Sequence, residues 1–233
     1  MEREVLRFPD ADSLARRAAA EVAGAIVRSS GPFVLALPGG RSPVPLFRLL
    51  VRPPWRDTVP WGRVHLFVTD ERLVPPGHPE SNIREIRRGL VEAVQLPEGN
   101  LHVPPLDAGD PEAIAAGYGR ELRRLVTGMG KEGPDLVVLG MGVDGHTASL
   151  FAADAALEEG HHWVAATSGP VGEPKVRRIT LTLPALAAAE TVILLAGPGK
   201  AETADRILRG REARYPAAMV TARNKLIWMI CEE

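Results

Sequence analysis

Three short runs constrain this chain most: FVLAL at 33–37, DLVVLG at 135–140 and TVILLA at 191–196 are apolar at nearly every position. A strand with one wet face alternates apolar and polar residues. Continuous runs of this length instead indicate strands covered on both faces, as in a parallel sheet packed between helices. RVHLFVT (63–69), HWVAAT (162–167), RITLTL (178–183) and KLIWMI (225–230) extend the set. Helical patterns run between them. DSLARRAAAEVAGAIVRS (12–29) opens on candidate caps Asp12 or Ser13, SNIREIRRGLVEAV (81–94) on Ser81 or Asn82, and DPEAIAAGYGRELRRLVTG (110–128) on Asp110 with Pro111 in its first turn. GKAETADRILRG (199–210) follows the strand at 191–196. The alternation predicts an α/β fold, a three-layer open, mostly parallel sheet with helices on both faces, forming a single domain over residues 1–233.

Charge and cysteine usage narrow the function classes. Lys plus Arg number 28 against 29 Asp plus Glu, so no broad basic surface exists for nucleic acid or an anionic membrane, and any cationic site is local. The single cysteine, Cys231, belongs to no disulfide or metal-ligand spacing and fits a reducing cytoplasm. No apolar run approaches the roughly 20 residues that span a bilayer, and the MEREVLRFPD start is charged where a signal peptide is apolar. A soluble, cytoplasmic protein is expected.

Ligands of open parallel sheets gather beyond the carboxyl ends of the strands. Four segments are read as sitting there. LALPGGRSPVPLF (35–47) carries Gly39, Gly40, Arg41 and Ser42 after a strand, with backbone amides and a hydroxyl suited to an anion; a plain tight turn is the competing reading. FVTDERLVPPGHPESN (67–82) delivers Asp70, Glu71 and Arg72 and then Ser81 and Asn82. Arg72 suits an anion bidentately and Asp70 a sugar hydroxyl, against the alternative of an Asp–Arg ion pair that merely fixes the loop. LGMGVDGHTASLF (139–151) bends on glycines and presents Asp144 and His146; a histidine accepts a proton near neutral pH and a carboxylate two residues away suits it as an orienting partner, against the alternative that both merely hydrogen-bond the loop. Finally, Lys200 opens a helix after GPG, where its ammonium and the helix amides suit a phosphate against the competing reading of a solvated lysine, and Arg178, or less readily Arg177, leads a strand. His65, His78, His102, His161 and His162 read as structural or solvated. HExxH and Gly-x-Ser-x-Gly patterns do not occur, which disfavours a zinc hydrolase and a serine esterase.

Taken in order, LPGGRSPVPLF, TDERLVPPGHPESN, LGMGVDGHTASLF, RRITLTLPAL and GPGKA resemble the 6-phosphogluconolactonase family over roughly residues 33 to 203. That family has an open α/β fold related to glucosamine-6-phosphate deaminase and ribose-5-phosphate isomerase. The resemblance implies hydrolysis of 6-phospho-glucono-1,5-lactone to 6-phosphogluconate, without a cofactor or metal. It implies His146 as general base with Asp144 as its partner. Arg72 and Lys200 become phosphate contacts beside Gly39, Gly40, Arg41 and Ser42, with Asp70, Asn82 and Arg178 completing the site. The partner is then a sugar-phosphate lactone, with neither nucleic acid nor membrane, and the expected state is a monomer. Pro38 and Arg41 depart from the family's usual Ser-Gly-Gly-Ser-Thr-Pro, and Ala152 stands where a proline usually follows SLF. The related deaminases carry a glutamate five residues beyond the histidine, and Phe151 occupies that position here, so amino-sugar isomerisation is disfavoured. A sugar-phosphate sensor would need no histidine at the cleft, and no extra length for a DNA-binding segment is visible.

Overall fold

The computed structural model describes residues 1–40, 42–75, 77–106 and 109–233. Six parallel strands form the main sheet: β1 (Glu2–Phe8), β2 (Phe33–Leu37), β3 (Val64–Val68), β5 (Leu136–Gly140), β8 (Thr191–Ala196) and β9 (Lys225–Cys231). Their order across the sheet is β1-β9-β8-β5-β2-β3. All five residues of β2 are buried, as a strand covered on both faces requires.

A second, three-stranded antiparallel sheet, β4-β7-β6, is built from β4 (Asp70–Arg72), β6 (Val164–Ala166) and β7 (Arg178–Leu181). Thr69 is the joint between the two sheets: its N–H donates to the Leu37 carbonyl of the main sheet at 3.0 Å, and its carbonyl accepts from Leu181 N at 2.7 Å. The runs at 162–167 and 178–183 therefore supply strands over 164–166 and 178–181 only, and these belong to this smaller sheet. The apolar pattern of so short a strand does not fix which neighbour it pairs with or in which direction. The sequence reading also passed over β1, an edge strand in which exposed Arg3, Val5 and Arg7 alternate with half-buried Glu4, Leu6 and Phe8.

The helices are α1 (Ala11–Arg28), α2 (Val44–Leu50), α3 (Trp55–Thr58), α4 (Asn82–Ile86), α5 (Glu92–Val94), α6 (Pro111–Gly128), α7 (Leu183–Ala188), α8 (Ala201–Leu208) and α9 (Pro216–Met219). α1 is capped by Asp10, whose carboxylate accepts from Ser13 N at 2.6 Å, rather than by Asp12 or Ser13. Ser81 and Asp110 cap α4 and α6 as expected, accepting from Arg84 N and Ala113 N. The segment 81–94 is not one regular helix: a π turn, Arg87–Val91, separates α4 from α5. Buried side chains from both sheets and the helices form one continuous core. No helix is long and apolar enough to cross a membrane among the described residues.

This topology places the site. The chain leaves β2 for β3 on one side and later returns to β5 on the other, so the loops after β2 and β5 part at a topological switch point. Those loops carry the two glycine-rich motifs.

Candidate active site

Residues 140–151, following β5, hold the imidazole, and the loop is clamped from three directions. Thr203 Oγ1 of α8 donates to the Val143 carbonyl at 2.9 Å, Ala217 N of α9 donates to Gly145 O at 2.9 Å, and Ser149 Oγ donates to Asp70 Oδ2 of β4 at 2.6 Å. Gly142 has to be glycine: a Cβ there would stand 2.2 Å from His146 Nδ1. The ring thus folds back over its own loop.

His146 Nδ1 lies 2.5 Å from Asp144 Oδ1. A carboxylate can only accept, so Nδ1 donates and Nε2 of the neutral ring keeps its lone pair. No described residue hydrogen-bonds Nε2. One ring face stacks on Phe151, with centroids 4.6 Å apart. Burial pushes the Asp144 carboxyl up, but the positive charge of a protonated His146 and hydrogen bonds from that residue's ring and amide outweigh it, leaving the pKa below the usual carboxylate value. Asp70 does not touch the imidazole. Its carboxylate accepts from Thr69 and Ser149 and fixes the loop instead.

Arg72 approaches from the second sheet. Its Nη1 donates to the Glu80 carbonyl at 3.1 Å and to Asn82 Oδ1, while Nε is buried and bonds no described residue. The expected alternative, an Asp70–Arg72 ion pair, is not what holds this loop. Asn82 does: its Nδ2 donates to the Asp70 carbonyl at 2.8 Å, and it lies so close to Gly39 that a Cβ there would come within 2.1 Å of Oδ1. The missing side chain at Gly39 is therefore what leaves room for Asn82. Under Asn82 sits Glu71, fully buried, whose carboxylate accepts from the amides of Arg72, Asn82 and Ile83 and from Ser81 Oγ at 2.7–2.9 Å. Burial keeps this carboxyl above its ordinary pKa even though all four bonds favour the ionised form.

On the other flank Lys200, at the N-cap of α8, donates from Nζ to Ser42 Oγ at 3.1 Å. Ser42 does not cap α2, whose N-terminus has no side-chain cap. It rests against Gly140, where an added Cβ would be 3.6 Å from its own Cβ, so the loops after β2, β5 and β8 meet. Arg41 lies outside the described residues. Gly40 N–H donates to Glu85 Oε2 at 2.6 Å, so this amide already holds a carboxylate.

Arg178 faces Arg72 across the β4–β7 pair. Its Nε and Nη2 donate to the carbonyls of Val171, Glu173 and Pro174 at 3.1 Å, and its Cζ stands 5.9 Å from the centre of the Phe151 ring. Burial first, then repulsion from Arg72, lowers its pKa from the ordinary arginine value. The side chain thus pins the 171–174 turn, and Nη1 is the nitrogen that bonds no described residue. Arg177 pairs with Glu112 and the Thr167 carbonyl instead.

A cleft of about 950 Å³ opens beside Gly40 and Arg72 and is walled by Arg48, Arg84 and Arg88. His146 does not line it; the link between them runs through Phe151, Arg178 and Arg72. Sequence reasoning missed Glu71 as the hub of this loop, Glu85 at Gly40, and the α8 and α9 clamps. The row Asp70-Glu71-Arg72 after a buried strand was the available signal for Glu71; nothing local marks the others. Among the described residues, no group of three or more His, Cys, Asp or Glu side chains is placed to hold a metal ion.

Comparison with known proteins finds similarity over most of the chain. The family model described as glucosamine-6-phosphate isomerases/6-phosphogluconolactonase matches residues 9–228. A 6-phosphogluconolactonase of Rattus norvegicus is 38% identical over 231 residues, covering 94% of this chain and 86% of the relative. One from Mycobacterium tuberculosis is 35% identical, covering 96% and 93%. The crystal structure of a 6-phosphogluconolactonase from Thermotoga maritima superposes with a TM-score of 0.85 at 29% identity, covering 99% of this chain and 100% of that one.

Proposed function

Because the chain belongs to the family of glucosamine-6-phosphate isomerases and 6-phosphogluconolactonases, we propose that it hydrolyses 6-phospho-D-glucono-1,5-lactone to 6-phospho-D-gluconate in the oxidative pentose phosphate pathway. One observation carries the choice within the family: His146 is oriented by Asp144 through Nδ1 with Nε2 open, and its ring neighbour is Phe151 rather than an acid. A phenyl ring exchanges no proton, so the arrangement supplies one base, which suffices for hydrolysis.

Nε2 removes a proton from water as the water oxygen attacks the lactone carbonyl, whose π electrons move onto oxygen. Collapse of the tetrahedral adduct breaks the ring C–O bond, and the departing oxygen takes the proton back from Nε2. The carboxylic acid so formed ionises and releases a proton to solvent. Arg72, Lys200 and Ser42 anchor the remote phosphate, which turns binding energy into alignment at the carbonyl. Asn82 and Asp70 hold that anchor and the base loop in place. Arg178 chiefly holds the 171–174 turn, with Nη1 left for an anion. We further read the chain as a monomeric, cytoplasmic single domain acting on a small sugar phosphate, without cofactor, nucleic acid or membrane. A neutral charge balance and a buried, unpaired Cys231 support this.

The test is proton release from freshly generated 6-phosphogluconolactone, followed with a pH indicator beside ammonium release from glucosamine 6-phosphate. Acceleration of the first alone is expected. Ammonium release without lactone hydrolysis would move the protein to the isomerase branch.

A further inference from the structure

The amide expected to greet the substrate's phosphate is already engaged. Gly40 N–H donates to Glu85 Oε2 at 2.6 Å, across 45 positions of sequence. Glu85 stands in the first turn of α4, which is fixed at its start by Ser81 and by the buried Glu71. Both Gly40 and Glu85 line the 950 Å³ cleft, together with Arg48, Arg72, Arg84 and Arg88. Gly40 thus already holds a carboxylate, in a cleft lined by four arginines and by three glutamates, Glu80, Glu85 and Glu173.

We infer that Glu85 is a specificity-determining residue that competes with the substrate's phosphate for the Gly40 amide and the surrounding guanidinium field. This rests on the lactonase reading above, which brings a phosphate to this loop. A phosphate carries up to two negative charges and three acceptor oxygens against one charge on Glu85, so it wins the amide where an uncharged sugar cannot. Displacement of Glu85 then subtracts from phosphate affinity, which discriminates against unphosphorylated lactones and hastens product release as the carboxylate returns. The opposite role, a strut that shapes the loop for phosphate, predicts the opposite sign.

Titration calorimetry with inorganic phosphate and with 6-phosphogluconate decides between them. Removing the competing charged hydrogen bond is expected to tighten both ligands by about three- to tenfold in Glu85→Ala, with Glu85→Gln intermediate because its amide oxygen still accepts from Gly40. Glu80→Gln is the control: it removes the same charge from the same cleft without touching Gly40, and a smaller change is expected. Unchanged or weaker binding in Glu85→Ala, or an equal gain in Glu80→Gln, overturns the proposal. A wild-type protein that neither binds 6-phosphogluconate nor opens the lactone sinks the lactonase reading itself and the proposal with it, a result distinct from wild-type binding that Glu85→Ala fails to improve.

Discussion

Two imidazoles in this protein have nearly the same neighbours and opposite fates. His146 gives Nδ1 to Asp144 and stacks on Phe151; His102 gives Nδ1 to Glu121 at 2.7 Å and stacks on Phe67 with centroids 4.4 Å apart. They differ at Nε2. That of His102 is 3.1 Å from His65 Nδ1, so a proton lies between the two rings and the chain Glu121–His102–His65 is closed. The side chain of His102 is 9% exposed against 34% for His146. A carboxylate and a phenyl ring therefore only orient an imidazole. An accessible lone pair is what fits His146, and not His102, to the role of base proposed above.

Neutralising each carboxylate sharpens the comparison most. Asp144→Asn is expected to lower kcat by on the order of 10²-fold, the low end of what a positioned base contributes, because the ring loses its tautomer and orientation. Glu121→Gln is expected to leave kcat unchanged and lower stability by about 1–2 kcal/mol through the weakened hydrogen bond, read from denaturant titration. Equal kinetic losses in both would dissolve the distinction.

Lys200→Ala addresses the anion side of the same contrast. Loss of one charge-assisted contact is expected to raise KM about tenfold with kcat nearly constant. An unaltered KM in steady-state kinetics would remove Lys200 from the phosphate site.

The smallest effect is the pH dependence of stability at the closed chain. Burial, then the positive charges of His102 and Lys131, lower the His65 pKa below its ordinary value. In that window the unfolded chain binds more protons than the folded one, so this contribution is complete above the ordinary histidine range. It is lost as pH falls through that range, levelling off once folded His65 itself protonates. His65→Asn should flatten that limb in denaturation midpoints measured between neutral and mildly acidic pH. An unchanged slope would place the dependence elsewhere.

The residues that were legible in the sequence are those whose chemistry is local. Asp144 and His146 lie two apart, and the loop that bears them follows a strand whose unbroken apolar run marks it as central. Lys200 and Ser42 were legible as types after strands, but not as partners 158 positions apart. What stayed hidden depends on pairing. RITLTL alternates polar and apolar residues, a pattern that differs from the continuous runs of the main sheet but does not say which strand pairs with it, so the sheet that carries Arg72 and Arg178 was not separated from the main one. That Gly39 leaves room for Asn82 was not legible, because clearance is a property of what lies opposite. Glu85 is an ordinary helix acid until the fold brings Gly40 to it.

The central claim is that Nε2 of His146 is the base, and His146→Ala tests it most directly, assayed for proton release from freshly generated 6-phosphogluconolactone alongside calorimetric binding of 6-phosphogluconate. The account predicts a fall in kcat of about 10²–10⁴-fold with product affinity within about twofold of wild type. Full hydrolysis by the variant would contradict it.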